Sequence, residues 1–101
     1  MAIVEVSIIP IGTGSSSLSS YVAGVLRVLS EAEDIKYQLT PMGTIIEGDL
    51  NRILEVIKKM HDSVFSDDIS RVVTTIKIDD RRDKNASMEQ KLNSVDQKLK
   101  S

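Results

Sequence analysis

Two short segments of this sequence concentrate the groups that could hold a ligand. The first, GTGSSS at residues 12–17, joins an apolar stretch to a pattern typical of a helix. Free backbone N–H groups at the start of a helix can bind an anion. The segment lacks the third glycine of a dinucleotide-binding fingerprint and the lysine of a P-loop, so a flexible turn with a serine helix cap is favoured over an anion site.

The second segment runs from Thr40 to Gly48 and contains TPMGT followed by Glu47. A tight hairpin requires only the proline and the glycine. The two threonines and Glu47 could in addition present acceptors to a ligand, and turn statistics do not decide between hairpin chemistry and a binding site. Both interpretations stay open at this point.

The sequence offers no set of residues for catalysis or for a metal. It has no cysteine, which excludes disulfides, thiolate catalysis and cysteine-bound metals. His61 is the single histidine, so it cannot anchor an ordinary zinc site alone, and we interpret it as a helix-surface residue. No serine–histidine–acid arrangement can be assigned, and the paired carboxylates at 67–68 and 79–80 fall in predicted exposed loops. We therefore predict no catalytic residue, no metal ligand, no cofactor and no enzymatic activity.

Composition narrows the possible partners. The 13 basic and 15 acidic residues give a formal net charge of −2, and only 3% of the residues are aromatic. Binding to nucleic acid or to an anionic membrane surface is therefore not predicted. No apolar run reaches the roughly 18 residues of a membrane-spanning helix, and the start of the sequence does not resemble a signal peptide. The lack of cysteine fits a cytoplasmic protein.

Hydrophobic periodicity predicts the elements that must position these segments. Alternation with a period of two predicts strands, and spacings of three and four predict helices. In chain order the pattern gives a strand, a helix, two strands, a helix, a strand and a final helix, at residues 2–11, 18–33, 35–40, 44–48, 50–64, 71–79 and 86–100. This order predicts an α+β sandwich of ferredoxin-like βαββαβ topology, with a four-stranded antiparallel sheet and an extra C-terminal helix.

We expect a single domain over residues 1–101, because a chain of this length is too short for two. Its core spans residues 1–80, a charged linker spans residues 79–85, and the last helix spans about residues 86–100. That helix is too short to be stable alone, so it must dock on the sheet or on a neighbouring subunit. Its apolar stripe consists of Met88, Leu92, Val95 and Leu99.

Right-handed crossovers place the first two helices on one face of the sheet and leave the other face uncovered. The predicted members of this open face are Ile3, Glu5, Ser7, Ile9, Gln38, Thr40, Val73, Thr75 and Lys77. Ile3, Ile9 and Val73 would form an apolar patch of the kind that marks an interface. The favoured interpretation is that Glu5 and Lys77 are solvated or pair with each other across the sheet; the alternative is that a buried carboxylate here awaits a cationic or hydrogen-bonding ligand.

The ordered motifs of the chain resemble one family. PIGTG after the first strand is followed by SLSSYV, LTPMGTIIEGD, RVVTTIKIDDRRDK and EQKLNSV. This series is similar to the thiamine-binding protein family, small proteins related to the YkoF-type thiamine-binding domains. Many of its members are known only as conserved proteins of unknown function. The resemblance covers nearly the whole chain.

The resemblance implies binding of thiamine or its hydroxymethylpyrimidine part without catalysis, by a homotetramer built as a dimer of dimers. Our leading hypothesis is a module that buffers or delivers the vitamin in the cytoplasm. The matching motifs carry the candidate ligand-binding residues Pro10, Gly12, Thr13, Ser17, Tyr21, Thr40, Met42, Gly43, Thr44 and Glu47. Thiamine is a cation, so its site would want a carboxylate, which Glu5 or Glu47 could supply. Tyr21 or Met42 could form the walls, and Tyr21 could make a cation–π contact.

Two alternatives stay open. The protein could be a regulatory or structural assembly protein with no small-molecule ligand, whose open sheet face and terminal helix serve oligomerisation only. It could also be an enzyme that acts on a phosphorylated small molecule at the GTGSSS segment, although no nucleophile–base pair supports this.

Overall fold

The computed structural model describes residues 1–12, 19–83 and 88–100. The strands in these ranges are β1 (Ala2–Ile11), β2 (Lys36–Thr40), β3 (Gly43–Gly48) and β4 (Arg71–Asp80). The helices are α1 (Ser19–Glu31), α2 (Leu50–Val64) and α3 (Met88–Lys100). Their order, β1-α1-β2-β3-α2-β4-α3, confirms the predicted ferredoxin-like α+β topology with an additional C-terminal helix.

The strands form one antiparallel sheet in the order β2-β3-β1-β4. β1 pairs with β4 over its whole length, from Ala2 opposite Asp80 to Ile11 opposite Arg71. The prediction that residues 79–80 lie in an exposed loop was wrong. Both belong to β4, because the first residues of β1 supply their pairing partners.

The core lies between the sheet and the helices α1 and α2, which pack side by side. Val4 and Val6 of β1 and Ile46 of β3 are at most 2% exposed, because the period of two in a strand places them on the helix-covered face. α2 supplies the opposing side chains Ile53, Val56, Ile57 and Met60. This packing fixes the face of each strand that points towards the helices.

α2 begins where the sequence predicts. The Asp49 carboxylate accepts a hydrogen bond from the backbone N–H of Arg52 at 3.1 Å, which satisfies one donor of the first helical turn. The Arg52 Nε also donates to both carboxylate oxygens of Asp34 at 3.0 Å. This contact joins the start of α2 to the α1–β2 connection. The hydrogen bond from Arg52 lowers the pKa of Asp34 below its usual value.

The register places the predicted residues on the open face of the sheet and adds others that were not predicted there, among them Lys36, Ile45, Glu47 and Asp79. The register places Glu5 beside Lys77 and Ile9 beside Val73. Ile9 is 53% exposed and Val73 42% exposed. The apolar stripe of α3 is exposed as well, with Leu92, Val95 and Leu99 between 57% and 80% accessible. Large apolar surfaces of the described chain therefore stay uncovered by its own elements.

Candidate functional site

A cavity of about 430 Å³ opens between α1, the end of β1 and the turn of the β2–β3 hairpin. We call it the hairpin cavity. Its walls consist of residues 6–10 of β1, residues 39–44 of the hairpin, Tyr21, Val22, Val25 and Leu26 of α1, and Met60 and Val64 of α2. Its volume lies in the range of about 300–1,000 Å³ that is typical of small-molecule sites.

Apolar side chains form most of the cavity surface. Val25 and Leu26 extend the core of the protein up to the cavity. Val22, Leu39 and Met42 are 48%, 52% and 82% exposed. Removing exposed apolar side chains from water lowers the free energy, so a ligand that covers them in a concave surface binds more tightly. The hairpin cavity is therefore suited to a compact apolar or aromatic group.

The polar residues of the lining are few and uncharged. They are Ser7, Tyr21, Thr40 and Thr44. In the part of the chain that the structure describes, no charged side chain lines the hairpin cavity. Because an unpaired charge is costly to bury, such a cavity suits a neutral group that carries a few hydrogen-bonding atoms.

Internal hydrogen bonds hold the turn that closes the cavity. The Thr40 hydroxyl donates to the carbonyl oxygen of Gly43 at 2.9 Å and accepts from the backbone N–H of Met42 at 3.2 Å. Gly43 lies so close to β1 that a Cβ atom there would meet the Val6 carbonyl oxygen at 2.7 Å. The TPMGT segment therefore combines hairpin chemistry with a place in the cavity wall.

The structure brings together six of the predicted site residues. They are Pro10, Tyr21, Thr40, Met42, Gly43 and Thr44, which all line the hairpin cavity. Gly12 follows β1 with a φ of +78° and does not line the cavity. Thr13 and Ser17 lie outside the described residues.

The two predicted carboxylates are separated from the cavity by the sheet. Glu5 and Glu47 alternate with Val4, Val6 and Ile46, so they point to the open face. Glu47 is 5% exposed, whereas Glu5 is exposed. Glu5 stands opposite Lys77 in the register, but the ion pairs formed among the described residues do not include this pair. Neither carboxylate is available to a molecule inside the hairpin cavity.

Several lining residues were not predicted as site residues. The α1 residues Val22, Val25 and Leu26 follow the helical period, and that pattern indicates a core stripe and not a cavity wall. Leu39 follows the strand period, which likewise indicates a residue that faces the core and does not reveal a cavity wall. Ser7 was assigned to the open face, where the alternation of β1 directs its side chain, and it is a lining residue because the wall includes the continuous β1 segment on both sides of it.

His61 differs from the predicted surface histidine. Its side chain is part-buried, its Nδ1 lies 2.6 Å from the Thr74 Oγ1, and its ring packs edge-on against Phe65 with a centroid distance of 5.3 Å. The Thr74 contact joins α2 to β4, whereas Phe65 directly follows α2, and none of these three residues lines the hairpin cavity. Among the residues that the structure describes, no three acidic or histidine side chains converge as they would around a metal ion.

None of the helices that the structure describes has the length and apolar character needed to cross a membrane.

Similarity to proteins of known sequence extends over nearly the whole chain. The family model described as thiamine-binding protein matches residues 4–96. The UPF0045 protein YqgV of Bacillus subtilis is 51% identical over 102 residues, which cover 98% of each chain. A UPF0045 protein of Methanothermobacter thermautotrophicus is 41% identical over 100 residues, which cover 98% of this chain and all of the relative.

Solved structures agree with the fold. A hypothetical protein from Methanocaldococcus jannaschii superposes with a TM-score of 0.83 at 40% identity, over 93% of this chain and 94% of that one. A Thermotoga maritima protein, whose name proposes a part in thiamine biosynthesis or salvage, superposes with a TM-score of 0.74 over 93% of this chain and 97% of its own. Its 19% identity supports the fold alone. The match over residues 4–96 places this chain in the thiamine-binding protein family.

Proposed function

We propose that this protein binds thiamine, or the hydroxymethylpyrimidine moiety of thiamine, in the hairpin cavity without transforming it. The observation that carries the proposal is the position of the cavity. It is built from the end of β1 and from residues 39–44, which carry the motifs that resemble the family. Family membership suggests the ligand, and the cavity offers a place of suitable size for it.

The chemistry of the cavity favours one orientation of thiamine. The aminopyrimidine ring is flat and uncharged, so it suits an interior of apolar walls and hydroxyl groups. The thiazolium ring carries a permanent positive charge, and burying that charge without an anionic partner would be costly. We therefore place the thiazolium at the mouth, where the Tyr21 ring could make a cation–π contact with it. Hydroxymethylpyrimidine alone would occupy the interior.

A binding role fits the lining better than a catalytic role. The described lining contains hydroxyl groups but no histidine, carboxylate or lysine that could activate a nucleophile or transfer a proton. We accordingly propose that the protein buffers or delivers the vitamin in the cytoplasm.

Calorimetric titration with thiamine and with hydroxymethylpyrimidine tests the proposal. Two variants of α1 make it specific to the cavity. Val22→Trp places a large ring at the mouth, whereas Ala23→Trp places the same ring on an exposed neighbouring position outside the lining. We expect Val22→Trp to lose most of the affinity and Ala23→Trp to keep it. Absence of heat from the folded natural protein at high micromolar ligand would refute the proposal.

We further propose that the protein acts as a homo-oligomer, a tetramer arranged as a dimer of dimers. The exposed stripe of Leu92, Val95 and Leu99 supports this, because a short helix gains stability mainly by burying its apolar side. Static light scattering should give a lower mass for a Leu92→Lys, Val95→Lys double variant. A control with the same added charge, Asn93→Lys with Gln97→Lys, changes exposed polar positions of α3 and should keep the natural mass. Equal masses for both variants would remove the stripe from the interface.

This assembly is also the basis of the second candidate function, a structural or regulatory protein without a small-molecule ligand. The titration above separates the two functions, since only the first requires binding.

A further inference from the structure

The two threonines that flank the hairpin turn have different hydrogen-bonding states. The Thr40 hydroxyl is committed to the turn, since it donates to Gly43 and accepts from Met42. A hydroxyl has one donor hydrogen and two acceptor lone pairs. Thr40 therefore has no donor hydrogen left for a ligand.

The Thr44 hydroxyl takes no part in the hydrogen bonds of the turn. Thr44 is 9% exposed and lies on the helix-covered face, opposite Val6 in β1 and Leu39 in β2. Within residues 1–12, 19–83 and 88–100, its hydroxyl forms no hydrogen bond. No side-chain oxygen in these ranges is both sealed from solvent and without a partner, so the Thr44 Oγ1 borders open space. The hairpin cavity is the space that Thr44 lines.

The other hydroxyl groups of the lining are less well placed. Ser7 follows Val6 in β1, so the alternation of the strand directs its side chain to the open face. Tyr21 is in the first turns of α1 and beside Val22, which is half exposed at the mouth. Thr44 thus supplies the unpaired hydroxyl in the apolar interior, where a valine of the same shape would avoid the cost of an unpaired polar group.

We infer that Thr44 is a specificity-determining residue of the hairpin cavity, and that its hydroxyl binds the polar edge of an uncharged heteroaromatic ring. This rests on the proposed function and names the group that recognises the ligand. The substrate class follows from the neutral lining. The inserted part is an uncharged ring, and any phosphate ester on the ligand stays outside, because no cation lines the described wall.

Titration of two Thr44 variants with hydroxymethylpyrimidine, and in parallel with thiamine, tests the inference. Thr44→Val removes the hydroxyl and keeps the shape, so we expect an affinity about three- to tenfold lower, which corresponds to the loss of one neutral hydrogen bond. Thr44→Ser restores the hydroxyl and should bind within about twofold of the natural protein. Thermal unfolding should show no loss of stability in Thr44→Val, since it removes an unpaired hydroxyl. Thr40→Val serves as the comparison and should unfold at a lower temperature, because it loses the hydrogen bonds of the turn.

The outcomes separate the inference from the proposed function. If the natural protein binds either ligand and Thr44→Val binds it equally well, the role of Thr44 is overturned and the proposed function stands. If Thr44→Val and Thr44→Ser lose affinity to the same extent, shape and not the hydroxyl determines binding, and the inference is again overturned. If the folded natural protein binds neither ligand, the proposed function fails and the inference fails with it.

Discussion

The close approach of Gly43 to β1 leads to a strong prediction about stability. In Gly43→Ala, the new Cβ atom would lie 2.7 Å from the Val6 carbonyl oxygen and 3.6 Å from the Ser7 Cβ. The first distance is far shorter than van der Waals contact, and the atom involved belongs to the backbone of a central strand. Relief therefore requires a shift of the hairpin relative to β1. Overpacking of this kind typically costs about 1–3 kcal/mol, which would lower the melting temperature by roughly 5–20 °C for a domain of this size.

Gly24 provides a matched control for this substitution. A Cβ atom at Gly24, in the middle of α1, would meet only Ser63 at 3.8 Å, which is ordinary contact. Replacing glycine by alanine inside a helix gains roughly 0.5–1 kcal/mol. We therefore expect the two alanine substitutions to have opposite signs.

Urea and thermal unfolding, followed by far-ultraviolet circular dichroism at one fixed protein concentration, measure both effects. A fixed concentration matters because association alters apparent stability. Most surface substitutions change the free energy of unfolding by less than about 0.5 kcal/mol. If Gly43→Ala changes it by no more than this, the hairpin accommodates a side chain. The steric argument for Gly43 would then be wrong.

Three further predictions concern contacts outside the hairpin cavity. Asp49→Ala removes the N-cap of α2 and should destabilise the protein by about 1 kcal/mol in urea unfolding, whereas Asp49→Asn should keep most of the stability. Asp34→Asn should lower the urea midpoint at neutral pH and have no effect at a pH well below 3.8, the ordinary pKa of Asp34. The sign follows because Arg52 lowers the pKa of Asp34 in the folded state, so its stabilisation exists above the unfolded pKa and disappears as the pH falls through the folded value. A double-mutant cycle of His61→Ala and Thr74→Ala should give a coupling of about 0.5–1.5 kcal/mol, and additive effects would mean that their 2.6 Å contact does not join α2 to β4.

The sequence predicts the fold well because apolar residues recur in its main strands and helices at the regular spacing of each element. The alternation of β1 fixes which residues face the helices, and the α2 stripe with its Asp49 cap fixes where that helix begins. Local patterns of this kind follow from geometry that every strand and helix shares.

The sequence does not predict the cavity, because a cavity depends on a gap between elements. Val25 and Leu26 follow the same helical period whether core side chains fill the space beside α1 or leave a cavity at one end of it.

The position of Glu47, in contrast, could have been predicted from the sequence. It is near Thr44 along the chain, but an odd separation of three residues in a strand places it on the opposite face. Counting the strand period would have separated Glu47 from the predicted threonine site.

The outer strand of the hairpin has a consequence for how the proposed ligand would leave the cavity. β2 pairs with β3 only, and four of its five residues are exposed, yet its end forms one wall of the hairpin cavity. An edge strand with little buried surface opens locally at a lower free energy than the central strands. The wall at β2 is therefore the strand wall of the cavity that yields first, and transient separation of β2 from β3 would give the proposed ligand a route out. Amide hydrogens of β2 should exchange with deuterium faster than those of β1, and occupancy of the cavity should slow them, so that the sheet edge itself reports whether the cavity is occupied.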